Sequence, residues 1–168
     1  MELKIPLEKR EAVNLNPVTL AFVGDSVFEN FVRERIIVRD PSHLPHKLHL
    51  EAIKYVKAAN QSYIVQELEK ELTEEEVYMY KRGRNMKSFT VPKNAKVLDY
   101  RRASGFETLI GYLHMTGGSE RLQYLMEKAA LAIETRDRVL REVREAEAKI
   151  GKDRVIPENT ERKEDENG

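Results

Sequence analysis

Cysteine is absent from this 168-residue sequence. That excludes a disulfide framework, a thiolate nucleophile and cysteine ligation of a metal. No apolar run is long enough to cross a bilayer. The opening Met1-Glu2-Leu3-Lys4-Ile5-Pro6 also lacks the regions of a signal peptide, so a cytoplasmic protein without membrane contact is expected. There is no phosphate-binding glycine loop, no dinucleotide fingerprint and no nucleophile elbow. The four histidines (43, 46, 49 and 114) show no metal-ligand pattern; His46 and His49, beside Lys47, read as polar surface. Neither sign of charge dominates, with 29 basic and 29 acidic residues. As a sum this argues against a nucleic-acid binder, but the distribution along the chain matters more. No internal repeat and no strand pattern of useful length is found, which leaves helical periodicity and an all-α fold as the expectation.

The chain is organised around Asn16-Pro17-Val18-Thr19-Leu20-Ala21-Phe22-Val23-Gly24-Asp25-Ser26-Val27-Phe28-Glu29. Asn16 is a good N-cap and Pro17 a good first helical residue. The helix is apolar on nearly all sides, which predicts burial. Gly24 and Asp25 interrupt it. Glycine costs about 1 kcal/mol there relative to alanine, and a buried carboxylate must be paired, hydrogen-bonded or bound to a metal. Two readings stay open. Either Gly24 admits another backbone and Asp25 holds a ligand, or Gly24 is a packing notch and Asp25 pairs with an arginine.

Further helices are predicted from Ser42 or His43, with a break at Asn60-Gln61-Ser62. Another is predicted from the Thr73 capping box to a Gly83 C-cap, then from about Tyr100 to Met115, and from Ser119 onward. Residues 1–150 are expected to form one domain with a long C-terminal helix, and 151–168 a charged tail that cannot bury a core. Residues 81–102 stand apart: eight Lys or Arg against one acid, a local net of +7, around a polar loop. In the helix that follows, Glu107 lies within an apolar stripe of Phe106, Leu109, Ile110 and Leu113.

Two acids in apolar helices and a basic loop between them are the candidates for chemistry. Mg²⁺ prefers oxygen ligands and keeps several waters. It can acidify a water and offset charge on a phosphate oxygen. The lysines and arginines would hold a polyanionic backbone. Together these point to a metal-dependent nuclease. The alternative is a helical binding protein whose two acids are structural.

Phe22-Val23-Gly24-Asp25-Ser26-Val27 resembles the signature helix of the ribonuclease III catalytic domain. Phe106-Glu107-Thr108-Leu109-Ile110-Gly111-Tyr112-Leu113 resembles its second metal-binding helix. The loop residues Asn85, Lys87-Ser88, Pro92-Lys93-Asn94 and Tyr100-Arg101 are similar to the Mini-III branch, which lacks a double-stranded-RNA-binding domain. The chain departs from the wider family at Ala21 and Ser104, where carboxylates would stand, and the Mini-III branch shares both departures. The resemblance implies the all-α ribonuclease III endonuclease-domain fold as a homodimer. It implies Mg²⁺, with Mn²⁺ as a substitute, held by the catalytic pair Asp25 and Glu107. It further implies cleavage of both strands of duplex RNA, in precursor large-subunit (23S) ribosomal RNA, with a ribosomal subunit or ribosomal protein as a further partner. Arg82, Arg84, Lys87 and Lys93 are then expected on phosphates, and Asn85 or Ser88 on a sugar or base edge. Glu29, one turn after Asp25, is either a further ligand or the partner of Arg33. The missing carboxylates motivate the alternative of a catalytically inactive RNA- or ribosome-binding module.

Overall fold

The structure is a computed structural model that describes residues 6–42, 44–87 and 96–153, with side chains through residue 150. Seven helices are described: α1 (Lys9–Asn14), α2 (Pro17–Arg39), α3 (Pro45–Val56), α4 (Ala58–Leu68), α5 (Glu74–Arg84), α6 (Val97–Met115) and α7 (Ser119–Asp153), with a 3₁₀ turn at Glu69–Glu71. No strand occurs among the described residues.

The strongest local signals act as expected. Asn16 accepts from the Val18 N–H at 3.0 Å and opens α2. At Thr73 the reciprocal box closes, with Glu76 N–H donating to Thr73 Oγ1 at 3.3 Å and Thr73 N–H to Glu76 Oε2 at 2.8 Å. Glu76 does further work, because the Arg121 guanidinium meets its carboxylate at 2.8 Å and ties α5 to α7.

Two boundaries differ from the sequence reading. The break expected at Asn60-Gln61-Ser62 falls instead at Lys57, which is extended at φ −60°, ψ 135°. Asn60 lies within the first turn of α4 and donates its side-chain amide back to the Lys54 carbonyl at 2.7 Å. Gly83 does not cap α5. It is helical and buried against Thr108 and Ser104, and Asn85 is the C-cap.

The central helix is α6, whose residues 103–106 and 108–113 are all buried. It packs against α2, α4 and α5. The α2 helix buries one stripe, Leu20, Ala21, Gly24, Phe28, Val32 and Ile36. In one chain the expected burial is met on that stripe alone: Val18 is 52% and Phe22 78% exposed.

The chain divides into two compact units, Met1–Glu134 and Thr135–Gly168. The boundary falls inside α7. The first unit ends on an ion-pair cluster: Arg35 meets Glu134 at 2.9 Å and Glu127 at 2.5 Å, and Tyr55 donates to Glu134 at 3.1 Å. In the second unit the described helix is charged, with Val139, Leu140, Val143 and Ile150 about half exposed. The predicted tail beyond it lies outside the described residues.

Candidate active site

Glycine decides where α2 and α6 cross. A β-carbon on Gly24 would overlap the Glu107 carbonyl oxygen and lie 2.7 Å from Gly111 N. A β-carbon on Gly111 would in turn overlap the Leu20 carbonyl oxygen. Each helix thus offers a notch to the other's backbone. Gly24 admits a second helix, as both open readings require, and the segment admitted carries Glu107.

That crossing brings Asp25 and Glu107 into electrostatic contact. Glu107 is half-buried on α6 and Asp25 stands on the exposed side of the crossing. Burial raises Glu107, and the Asp25 charge raises it further, to about 8. Partial burial also raises Asp25, with a smaller push from Glu29. No lysine or arginine pairs with either acid among the described residues. Glu29 is engaged elsewhere, with Arg33 at 2.5 Å. The reading in which Asp25 pairs with a buried arginine therefore finds no partner among the described residues.

Two repelling carboxylates without a basic neighbour among the described residues suit a divalent cation that accepts oxygen ligands and retains its own waters. Asp25 and Glu107 fit that donor set. They are few, since no group of three or more His, Cys, Asp or Glu suited to a metal occurs among the described residues. Ala21, four residues before Asp25, and Ser104, three before Glu107, are both buried and carry no carboxylate.

The pair has a consequence for stability. The folded chain keeps the Glu107 proton to about pH 8, whereas an unfolded glutamate releases it near its ordinary value. A raised acid stabilises the fold at low pH, and that contribution is lost as pH climbs through the folded pKa. Asp25 acts in the same sense, while Glu134, held low by Arg35 despite its burial, acts at lower pH with opposite sign. Thermal denaturation in EDTA is expected to show a midpoint that falls between about pH 5 and 8. Glu107→Gln should flatten that slope, and Mg²⁺ should raise the midpoint more at high pH; a slope unchanged in Glu107→Gln would refute the assignment.

The basic residues separate into different roles. Arg82 is half-buried: its guanidinium donates to the Val13 carbonyl and to the Leu15 carbonyl at 3.1 Å, locking the α1–α2 turn to α5. Those two bonds already engage part of the guanidinium that the sequence reading places on a phosphate. Arg84 lies over the Tyr80 ring at 5.6 Å and donates to Asn85 Oδ1 at 3.2 Å. Asn85 and Lys87 are exposed at the end of α5. Ser88 and Lys93 lie outside the described residues. The sequence reading missed Gln61, a fully buried glutamine on α4 that adjoins Glu107. The signal was there: it occupies the position in which Ile64, Val65 and Leu68 continue an apolar stripe.

A fold of this kind, with an acid on each of two crossed helices, has close counterparts. Residues 18–118 match the family pattern described as the ribonuclease III domain. The chain belongs to the ribonuclease III family, which makes it an endoribonuclease of that class. Within the family its likeness is to the Mini-III branch. It is 47% identical over 119 residues to the Mini-ribonuclease 3 of Clostridium tetani, covering 71% of this chain and 79% of that one. To the Mini-ribonuclease 3 of Streptococcus pneumoniae it is 47% identical over 117 residues, covering 68% and 91%. A crystal structure of a Fusobacterium nucleatum protein superposes with a TM-score of 0.61 at 25% identity, covering 68% of this chain and 90% of that one.

Proposed function

We propose that the protein is a Mg²⁺-dependent endoribonuclease that hydrolyses phosphodiester bonds in both strands of duplex RNA, acting as a homodimer on the paired ends of precursor large-subunit ribosomal RNA in the cytoplasm. The observation that carries this reading is the meeting of Asp25 and Glu107 at the glycine-notched crossing, with no basic partner among the described residues. When bound there, a divalent cation supplies Lewis-acid stabilisation of phosphoryl charge and makes water more acidic. The chain's own part is to hold two oxygen donors in fixed register. It must also release the Glu107 proton as the cation enters, so metal affinity rises with pH. Mn²⁺ meets the same donor set.

Duplex RNA is recognised mainly through its shape, phosphates and 2′-hydroxyls. Arg84, Asn85 and Lys87, at the end of α5, supply donors for that contact, and Ser88 and Lys93 continue the same basic segment. The exposed Phe22 supports the dimer: it lies three residues from Asp25, so a second copy covering it would bring a symmetry-related acidic site nearby. A ribosomal subunit or ribosomal protein would be a further partner of the enzyme on its substrate.

A labelled RNA duplex incubated with Mg²⁺, and in parallel with EDTA, tests the activity, and sedimentation velocity gives the mass of the particle. Cleavage into 5′-phosphate products only with metal supports the reading. The rival, motivated by the lack of carboxylates at Ala21 and Ser104, is a catalytically inactive RNA- or ribosome-binding module. That rival gains if the duplex is bound and never cut with Mg²⁺ or Mn²⁺.

Arg84→Ala and Lys87→Ala are each expected to weaken duplex binding and to lower the salt slope by about 1. Arg82→Ala should instead lower the thermal midpoint, since two carbonyls lose a charged donor worth about 1–3 kcal/mol. Filter binding at several salt concentrations, set against thermal melts, checks the division. A stable Arg82→Ala protein with weakened RNA binding would reverse it.

A further inference from the structure

Gln61 is wholly buried on α4, yet neither its Oε1 nor its Nε2 has a hydrogen-bonding partner among the described residues. An unmet buried amide costs about 1–3 kcal/mol. The apolar stripe it interrupts would accept leucine or methionine at no such cost. The amide lies beside Glu107, close enough to favour the ionised carboxylate, though without completing a hydrogen bond to it. It is thus a donor held, at a cost in stability, next to one of the two acids of the site.

We propose that Gln61 is a positioning residue for the Asp25–Glu107 site: its amide donates to the Glu107 carboxylate when that carboxylate takes up a divalent cation, and so fixes which oxygen is presented. The inference rests on the reading of that pair as a cation site. The geometry accounts for both halves of the observation. The amide has no partner as it stands, and a Glu107 carboxylate turned toward a cation would supply one. Groups that orient a metal-binding side chain in this way are commonly worth 10–100-fold in metal affinity. Gln61 touches neither substrate nor cation in this account, and its effect passes through Glu107.

The test uses the full chain, Mn²⁺ alone as the probe, and titration calorimetry without RNA. Gln61→Met keeps the length and apolar packing and removes the donor. Its Mn²⁺ affinity is expected to fall by about 10–100-fold. The metal-free thermal midpoint should stay equal to the wild-type value or rise above it. In the duplex assay kcat should fall while KM stays within about twofold, the sign of an effect on the reacting centre rather than on substrate binding. Gln61→Glu adds a third charge to the cluster. Its metal-free midpoint should drop, and saturating Mn²⁺ should raise it by more than in the wild type. A purely structural Gln61 predicts the reverse: unchanged Mn²⁺ affinity in Gln61→Met and no rescue of Gln61→Glu. Either result overturns the proposal, and Gln61→Glu alone decides if Gln61→Met fails to fold. Asp25→Asn is the control. If it binds Mn²⁺ like the wild type, the carboxylate-pair reading fails, and the inference falls with it. If Asp25→Asn loses Mn²⁺ and Gln61→Met does not, only the Gln61 proposal fails.

Discussion

Asp25→Asn and Glu107→Gln are each expected to lower duplex cleavage by at least about 10³-fold, the loss of several kcal/mol of cation-mediated stabilisation at the phosphoryl group. Duplex affinity should stay within a few-fold of wild type in both. The reason is spatial. The acids sit at the α2–α6 crossing, while Arg84, Asn85 and Lys87 stand at the end of α5. A carboxylate near RNA repels it, so removing one acid should tighten the ground-state complex slightly. Both substitutions are nearly isosteric and relieve the mutual repulsion that raises Glu107, so the metal-free fold should be stabilised at neutral pH. Low activity, retained binding and a raised metal-free midpoint form a signature that mere unfolding cannot copy. The measurements are single-turnover cleavage with Mg²⁺, filter binding in EDTA and thermal melts of the same preparations. Near-wild-type cleavage by either variant would remove the two acids from the mechanism.

What was legible in the sequence depended on how far each signal had to reach. The Asn16 cap and the Thr73–Glu76 box act within three residues, and both stand where the residue types place them. Gly24 and Asp25 were legible as a paired local penalty, and Glu107 as an acid in an apolar stripe. The contact between them was not legible from either stretch without the family resemblance, because it depends on the reciprocal notches at Gly24 and Gly111. Arg82 and Arg84 look alike in a basic run. What separates them is a pair of turn carbonyls at Val13 and Leu15, far back in the chain. Gln61 read as part of a polar break, since nothing near it in sequence reveals the Glu107 side chain beside it. Phe22 reads as an apolar residue on an apolar helix, and in one chain this side of α2 faces outward, where the homodimer implied by the resemblance would cover it.

Gly24→Ala is expected to damage the protein more than any single surface change, although alanine improves helix propensity by about 1 kcal/mol. The new methyl group would occupy the space of the Glu107 carbonyl oxygen, and helix backbone cannot swing aside as a side-chain terminus can. The crossing must widen along its length, since Gly111 and Leu20 make the reciprocal contact on the same seam. Overpacking of this kind costs about 1–3 kcal/mol or more. In a chain of this size that corresponds to a fall in thermal midpoint of about 2–12 °C, after which Mg²⁺ should restore little, because the same widening draws Asp25 away from Glu107. Gly118→Ala is the matched comparison. A β-carbon there would meet its nearest neighbours, in Leu113, at 3.5 Å, an ordinary contact, and the midpoint should hardly move. Loss of cleavage in Gly24→Ala should exceed what its remaining folded fraction explains, and it should persist at temperatures far below the new midpoint. A Gly24→Ala protein with wild-type stability and full activity would show that the close approach of these two helices is not what assembles the site.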